Sequence, residues 1–162
     1  MKKKAINQDL EDNNPPQQQL SSLLEYFQNG RIDEAEKLAL SITREFPKHQ
    51  FAWKVLGAVL GATGRKSEAA DVNKTAVALS PEDAAAHSNL GITLHELGRL
   101  DEAEASYNQA IALKPNYAQA LQNRGLLLLE KKNYESHKAT KNEDIPCPCQ
   151  TFQFEFLLHQ CL

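Results

Sequence analysis

The sequence is poor in the features that mark several protein classes. Its three cysteines all lie between Cys147 and Cys161, which is too few and too clustered for a disulfide framework and fits a reducing compartment. No apolar run approaches the roughly 20 residues of a membrane-spanning helix, and polar residues follow Met1 where a signal peptide would be apolar. We therefore expect a cytoplasmic protein with no membrane partner.

An excess of positive charge is also missing. Eighteen basic and 21 acidic side chains give a formal net charge of −3, whereas proteins that follow a phosphate backbone need a basic surface. We therefore expect no nucleic-acid partner. A length of 162 residues with 7% aromatic residues allows one domain or a short repeat array with a modest core, and it excludes a large two-domain enzyme.

What the sequence does contain is an internal period of 34 residues. Apolar residues recur at helical intervals within each period, so each period predicts two amphipathic helices joined by a turn. Four residue columns share the spacing: Gly57, Gly91 and Gly125; Gly30, Gly64 and Gly98; Ala35, Ala69 and Ala103; and Pro47, Pro81 and Pro115.

The small residues of these columns have predicted roles. Because glycine inside a helix costs about 1 kcal/mol relative to alanine, the column of Gly57 predicts a close approach between the two helices of a pair. Its expected partners are the alanines of the second helix, Ala69 and Ala103. Gly64 and Gly98 are expected to end the first helix in the left-handed conformation, and the prolines to end the second helix.

Acidic residues mark the expected start of the second helix. Asp33 with Glu36, and Asp101 with Glu104, have the spacing of a capping box. We therefore expect each aspartate to be the N-cap residue of its helix.

The columns resemble the signature of tetratricopeptide repeats, a family of helix-turn-helix units with this period. The unit over residues 84–117 matches best, and it departs from the pattern at His87 and Leu94, where tryptophan and tyrosine are usual. We expect His87 to pack in the interior. The preceding unit has Asn73 where an aromatic residue is usual. The resemblance implies an all-α fold, namely a right-handed α-α solenoid of these units.

The repeat also sets the expected domain boundaries. The array should span residues 16–139, between a flexible N-terminal tail and a C-terminal tail of non-repeat sequence that contains alternating phenylalanines. For that tail, docking on the array, pairing with another chain and disorder all stay open. The expected segments are 1–15 (tail), 16–49, 50–83 and 84–117 (complete units), 118–139 (partial unit) and 140–162 (tail).

No catalytic site can be assembled from the sequence. Metal-binding residue types cluster in the C-terminal tail, but the one-residue spacing between its first two cysteines is shorter than in structural zinc sites, so incidental thiols are the preferred interpretation. The residues concerned are Cys147, Cys149, His159 and Cys161. His95 and Glu96 begin a zinc-protease motif, but no second histidine follows one turn later. We expect neither a cofactor nor enzymatic activity.

The first helices of the pairs should line the concave face of the solenoid. Asn89 and Asn123 occupy equivalent positions in successive units, so their carboxamides should form a ladder about 10 Å apart that can pair with the amide groups of an extended peptide. This resembles the asparagine ladder of O-linked N-acetylglucosamine transferases; the alternative is that both are ordinary solvated residues. The predicted peptide-binding residues are Phe51, Lys54, Ser88, Asn89, Ile92, Glu96, Gln119, Gln122 and Asn123.

The sequence therefore predicts a non-catalytic protein-protein interaction module that holds an extended peptide or a partner helix in its groove. The carboxylate clamp of heat-shock co-chaperones is rejected, because residues such as Leu20, Leu24 and Val55 occupy its basic positions. Two alternatives stay open. The chain could be the substrate-recognition arm of a larger glycosyltransferase, sulfotransferase or methyltransferase, or a scaffold that self-associates through its C-terminal tail.

Overall fold

The computed structural model describes the backbone of residues 14–142 and the side chains of residues 14–136. Over this range the chain forms α-helices joined by short turns, and no strand, which confirms the predicted all-α fold. The helices are α1 (Gln17–Gln28), α2 (Ile32–Glu45), α3 (Gln50–Ala62), α4 (Lys66–Leu79), α5 (Ala84–Glu96), α6 (Leu100–Leu113) and α7 (Ala118–Asn142).

The helices form consecutive antiparallel pairs, α1 with α2, α3 with α4 and α5 with α6. Each of these helices packs against its neighbours in sequence, and the first helices of successive pairs also contact each other, α1 with α3 and α3 with α5. This is the stacking of an α-α solenoid, and it brings the first helices together on one face. The compact unit that contains the pairs extends through Leu127, and the rest of α7 belongs to a second unit that begins at Leu128.

The buried core of the pairs consists of two apolar clusters. One cluster extends from α1 to α4 and includes Leu23, Ile42 and Val59. The other cluster is built around Leu94 and Tyr107 in the pair α5 and α6, and it also includes Leu127 of α7. α4 and α5 also contribute buried polar side chains, of which Asn73 and Thr93 line the candidate site described below.

Glycines form the turns within the pairs. Gly30, Gly64 and Gly98 have φ angles of +70°, +78° and +73°, a backbone conformation that glycine adopts without a steric penalty. In each turn the N–H of the next residue bonds to the carbonyl five residues back, as from Arg65 to Leu60 at 2.9 Å, which is the 6→1 bond of a Schellman motif. The left-handed conformation predicted for Gly64 and Gly98 is confirmed.

The capping boxes predicted for the second helices are wrong. α2 begins at Ile32 and α6 at Leu100, so Asp33 and Asp101 are the second residues of their helices, and the arginines at the N-caps form no side-chain cap hydrogen bond. The glycine turn determines where the second helix begins. The aspartates therefore lie in the first helical turn, where a negative charge interacts favourably with the helix dipole.

The glycine column inside the first helices has a different environment in each unit. A methyl group at Gly57 would overlap the carboxamide of Asn73, and one at Gly91 would lie 2.6 Å from Cε1 of Tyr107. At Gly125 no described atom lies within 4 Å of that position. Close approach is therefore found at two positions and is wrong for Gly125. The nearest partner atoms belong to Asn73 and Tyr107, not to the predicted alanines, because side chains on a helix lean toward its N-terminus and those from one turn further on reach back to the glycine.

Candidate peptide-binding groove

A cleft opens on the face where α3 and α5 meet, with α4 as its floor. It encloses a cavity of about 240 Å³, and we call it the α3–α5 cleft. Three predicted groove residues, Asn89, Ile92 and Glu96, line it together. The full lining is Gly57, Ala58, Gly61, Ala62, Asn73, Asn89, Ile92, Thr93 and Glu96.

A chain of hydrogen bonds crosses the floor of this cleft. The Asn73 side chain is only 2% exposed, and its Nδ2 donates to Oγ1 of Thr93 at 2.9 Å. The Thr93 hydroxyl in turn donates to the backbone carbonyl of Asn89 at 3.0 Å. Because the hydroxyl hydrogen is used on that carbonyl, Thr93 can only accept from Asn73, which determines the orientation of the carboxamide. Oδ1 of Asn73 is then left buried without a hydrogen-bond donor among the described residues.

The cleft exists because Asn73 stands where an aromatic ring would otherwise lie. In the next unit the ring of Tyr107 packs against Gly91 and is 1% exposed. Burial, with a smaller effect from the Glu96 carboxylate, raises the pKa of Tyr107 to about 12. A carboxamide is smaller than a phenol ring, so it packs against Gly57 but leaves part of the space between α3 and α5 open. Asn73 is visible in the sequence as a departure from the repeat, but its position in the site, like that of Thr93, depends on how the helices pack.

Of the residues predicted on the groove, Ser88 is buried in the helix packing and Phe51 is partly buried there. Ser88 is 0% exposed, so its placement on the concave surface is wrong. α5 packs against α3, α4 and α6, and its buried surface therefore covers most of its circumference, including Ser88. Phe51 is half-buried and packs against the apolar cluster of the first pairs, which leaves only part of its ring accessible.

Lys54 is engaged in a contact between successive units. Its Nζ lies 2.7 Å from Oδ2 of Asp83, which also accepts a 2.6 Å hydrogen bond from Gln50. Oδ1 of Asp83 caps α5 by accepting from the N–H of Ala85 at 2.8 Å. Burial opposes ionisation of Asp83, but the bonds from Lys54 and Ala85 outweigh it and lower the pKa of this carboxyl. The Lys54 charge thus serves the packing of α3 on α5.

The remaining predicted residues lie on α7. Gln119 and Gln122 are exposed and Asn123 is half-buried, and Gln119 accepts a 3.2 Å hydrogen bond from the Tyr117 hydroxyl. None of them lines the α3–α5 cleft. The Asn89–Asn123 ladder stays a prediction.

His87 differs from its expected place in the interior. It is half-buried, and its Nε2 donates to the carbonyl of Pro81 at 2.8 Å. Trp53, one repeat earlier, makes the same bond to Pro47 at 2.8 Å, so both rings donate an N–H to the carbonyl of the preceding proline. This shared bond explains how histidine can replace tryptophan here.

The possible metal ligands Cys147, Cys149, His159 and Cys161 lie outside the described residues. Within residues 14–136, no group of three or more histidine, cysteine, aspartate or glutamate side chains is arranged to hold a metal ion. None of the helices in the described part of the chain is long and apolar enough to span a membrane.

Comparison with known sequences now identifies the family. Profiles described as Tetratricopeptide repeat match residues 23–84 and 84–117. The chain belongs to the tetratricopeptide repeat family. These matches include both helices of the α3–α4 and α5–α6 pairs, and hence the whole of the α3–α5 cleft. No curated protein matches the chain.

Solved structures of other tetratricopeptide repeat proteins have the same fold. The first such domain of Spaghetti (RPAP3), bound to the HSP90 peptide SRMEEVD, is 21% identical with a TM-score of 0.68, covering 70% of this chain and 90% of that one. The Yersinia enterocolitica type III secretion chaperone SycD, in complex with a peptide of the translocator YopD, is 19% identical with a TM-score of 0.65, covering 70% of this chain and 92% of that one. A Thermobaculum terrenum O-GlcNAc transferase is 25% identical with a TM-score of 0.63, and the match covers 71% of this chain but 23% of the transferase.

Proposed function

We propose that this protein is a non-catalytic interaction module that binds an extended peptide along the face formed by its first helices. The observation that carries the proposal is the α3–α5 cleft, where Asn89, Ile92 and Glu96 of α5 line one cavity together with the small residues of α3. A surface that offers backbone-like hydrogen-bonding groups and small apolar side chains suits a peptide main chain.

Two structural neighbours support a peptide ligand. The Spaghetti domain holds an HSP90 peptide and SycD holds a YopD peptide, each on the same fold. The acidic HSP90 peptide is a poor guide to the ligand of this chain, however. Lys54 is already paired with Asp83, and Glu96 contributes a carboxylate to the cleft, so an acidic ligand would meet repulsion.

The test begins with a library of extended peptides selected on the wild-type protein. The dissociation constants of the selected peptides are then measured by fluorescence anisotropy for the wild type and for the double variant Asn89→Ala/Asn123→Ala. Since each carboxamide contact contributes about 1 kcal/mol, we expect binding to weaken roughly tenfold or more.

The matched control is Gln109→Ala, which removes an exposed carboxamide from α6, a second helix. It should bind as the wild type does. Circular dichroism checks that all variants keep the same helix content. Equal dissociation constants for the double variant and the control would contradict the proposal that these asparagines bind the peptide.

A second candidate is that the chain is the substrate-recognition arm of a larger enzyme. The 25% identity to the O-GlcNAc transferase, of which the match covers 23%, favours this over the sulfotransferase and methyltransferase alternatives. The intact mass of the native protein distinguishes the two candidates, because an arm would be found in a chain several times longer. The self-association alternative depends on the C-terminal tail, which lies outside the described residues.

A further inference from the structure

We propose that Asn29 is a modification site, at which spontaneous deamidation converts the side-chain amide to a carboxylate and forms isoaspartate. The site lies where α1 ends and the chain turns into α2, and it is independent of the peptide-binding groove. Three features of the turn support it: the residue that follows Asn29, the exposure of both residues, and the weakness of the bonds that must open.

The residue after Asn29 favours the reaction. Asn29 is the one asparagine of the sequence that is followed by glycine. Deamidation begins when the backbone nitrogen of the next residue, after losing its proton to hydroxide, attacks Cγ of the asparagine. A Cβ atom on that next residue hinders the approach, and glycine has none. The equivalent turns of the next two units have Thr63 and Leu97 before their glycines, so the reaction is specific to the first turn.

The only reactant besides the chain is water. The new bond joins the Gly30 nitrogen to Cγ of Asn29. The Cγ–Nδ2 bond breaks and releases ammonia, which takes up the proton that the glycine nitrogen lost, and a five-membered succinimide ring remains. Water then opens the ring and returns a hydrogen to that nitrogen. Cleavage at Cγ gives aspartate, and cleavage at the main-chain carbonyl carbon gives isoaspartate; nothing is oxidised or reduced.

The turn has room for this reaction. Asn29 and Gly30 are both exposed, so water reaches them. A methyl group at Gly30 would meet no described atom within 4 Å. The succinimide ring can therefore form there without a collision with the described residues.

The folded turn slows the reaction without preventing it. Ring closure needs the Gly30 nitrogen to eclipse Cβ of Asn29, whereas a ψ angle of 5° makes it eclipse the nitrogen of Asn29. Rotation to the reactive conformation would break the hydrogen bond from Gly30 to the Phe27 carbonyl at 3.2 Å. It would also break the bond from Arg31 to the Tyr26 carbonyl at 2.9 Å. Both bonds belong to a helix end, where local opening has a low free-energy cost.

Deamidation should loosen the pairing of α1 with α2. Isoaspartate lengthens the main chain by one methylene group, so the N–H groups of Gly30 and Arg31 should no longer both reach their carbonyls. Either product also places a negative charge at the C-terminal end of α1, where the helix dipole disfavours it. The modification therefore weakens the first unit and leaves the α3–α5 cleft, which belongs to the next two units, unchanged.

The experiment incubates the full chain at neutral pH in buffer and, as the unfolded reference, in guanidinium chloride. Isoaspartate is measured by methyl transfer from S-adenosylmethionine with a protein isoaspartate methyltransferase, and mass spectrometry of the tryptic fragment that ends at Arg31 locates it. Asn29 should convert in the native chain about tenfold more slowly than in the unfolded reference, because the turn must first open. It should convert roughly tenfold faster than Asn116, an exposed turn asparagine that is followed by tyrosine.

The matched variant is Asn29→Thr, which has the residue of the equivalent position in the next unit, Thr63, and keeps Gly30. It should have the helix content of the wild type by circular dichroism, and its methyl transfer should fall to the level of the other asparagines. Hydrogen exchange on the incubated wild type should show a loss of amide protection in α1 that exceeds the loss in α3.

Three results would overturn the site. They are an unconverted Asn29 in the native chain when the unfolded reference has converted, equal rates at Asn29 and Asn116, and undiminished methyl transfer to Asn29→Thr. Unchanged protection of α1 after conversion would overturn the effect on the first unit. None of these measurements involves a peptide ligand, so their failure is distinct from a failure of the proposed function.

Discussion

At the scale of single residues, one glycine column has three different roles. Gly57 makes room for a carboxamide, Gly91 makes room for a phenol ring, and Gly125 faces no described atom within 4 Å of the missing methyl group. The period identified the column from the sequence, but what lies across from each glycine depends on the opposite helix. Glycine therefore affects the stability of the fold differently at each of the three positions.

We expect opposite effects from the same substitution at two of these glycines. Gly125→Ala should raise the free energy of unfolding by about 0.5–1 kcal/mol, because alanine loses less backbone entropy in a helix and its methyl group would meet no described atom within 4 Å. Gly91→Ala should lower it by about 1–3 kcal/mol, because the new methyl group collides with the Tyr107 ring. Urea denaturation of both variants measures this, and each serves as the control of the other. A change of the same sign at both positions would contradict the packing described here.

At the scale of helices, the starts of the elements follow two different rules. The second helices begin after a glycine turn with an arginine at the N-cap, and that arginine binds the glutamate three residues later, as Arg99 binds Glu102 at 2.6 Å. These exposed pairs recur in all three units but contribute little to stability. α5 begins differently, since Asp83 provides a true N-cap and also binds Lys54 of the preceding unit.

Substitutions at Asp83 separate the contribution of its N-cap hydrogen bonds from that of its ion pair with Lys54. Asp83→Ala should lower the free energy of unfolding by about 1–2 kcal/mol, because the N-cap hydrogen bonds are lost. Asp83→Asn should cost less, because asparagine is also a good N-cap and only the charge interaction with Lys54 is removed. Thermal and urea denaturation at neutral pH test this order. Equal losses for the two variants would mean that the charge, and not the cap, holds this helix start.

The Asp83 carboxyl group also predicts that the stability of the fold depends on pH. The pKa of Asp83 is lower in the folded chain than its ordinary value of 3.8, so its contribution is fully present above that value. It is lost as the pH falls through the folded pKa. The wild type should therefore lose more stability than Asp83→Asn when the pH is lowered from about 5 to 2, as measured by urea denaturation across that range.

At the scale of the whole molecule, stability in a stack of repeats comes from each pair and from its contacts with the next. The α3–α4 pair has helices on both of its sides, since α3 meets α1 and α5, and α4 meets α5. The interface of α4 with α5 also holds the buried polar residues of the cleft. The candidate site thus lies between two complete units, where both sides hold it in place.

Hydrogen exchange should reveal this distribution. Among the described helices α1 to α6, amide protection should be highest in α3 to α5 and lowest in α1, because an end helix lacks a neighbour on one side. Asp83→Ala should reduce protection in α5 and α6 more than in α1 and α2, since it weakens the contact between the middle units. If amide protection is the same in all six helices, and falls equally in all of them in Asp83→Ala, the array unfolds as a single cooperative unit and this prediction is wrong.

The sequence by itself determined the period, the helix pairs and the left-handed turns at Gly64 and Gly98, because those depend on backbone preferences within a few residues. It also indicated that Asn89, Ile92 and Glu96 share a face, which follows from helical spacing alone. Only the tertiary structure decided which polar residues are accessible. Ser88 is buried, Lys54 is paired, and Asn73 enters the cleft from another helix. Whether a side chain is accessible depends on the residues that pack against it. Those residues can be far away in the sequence, as Asp83 is from Lys54.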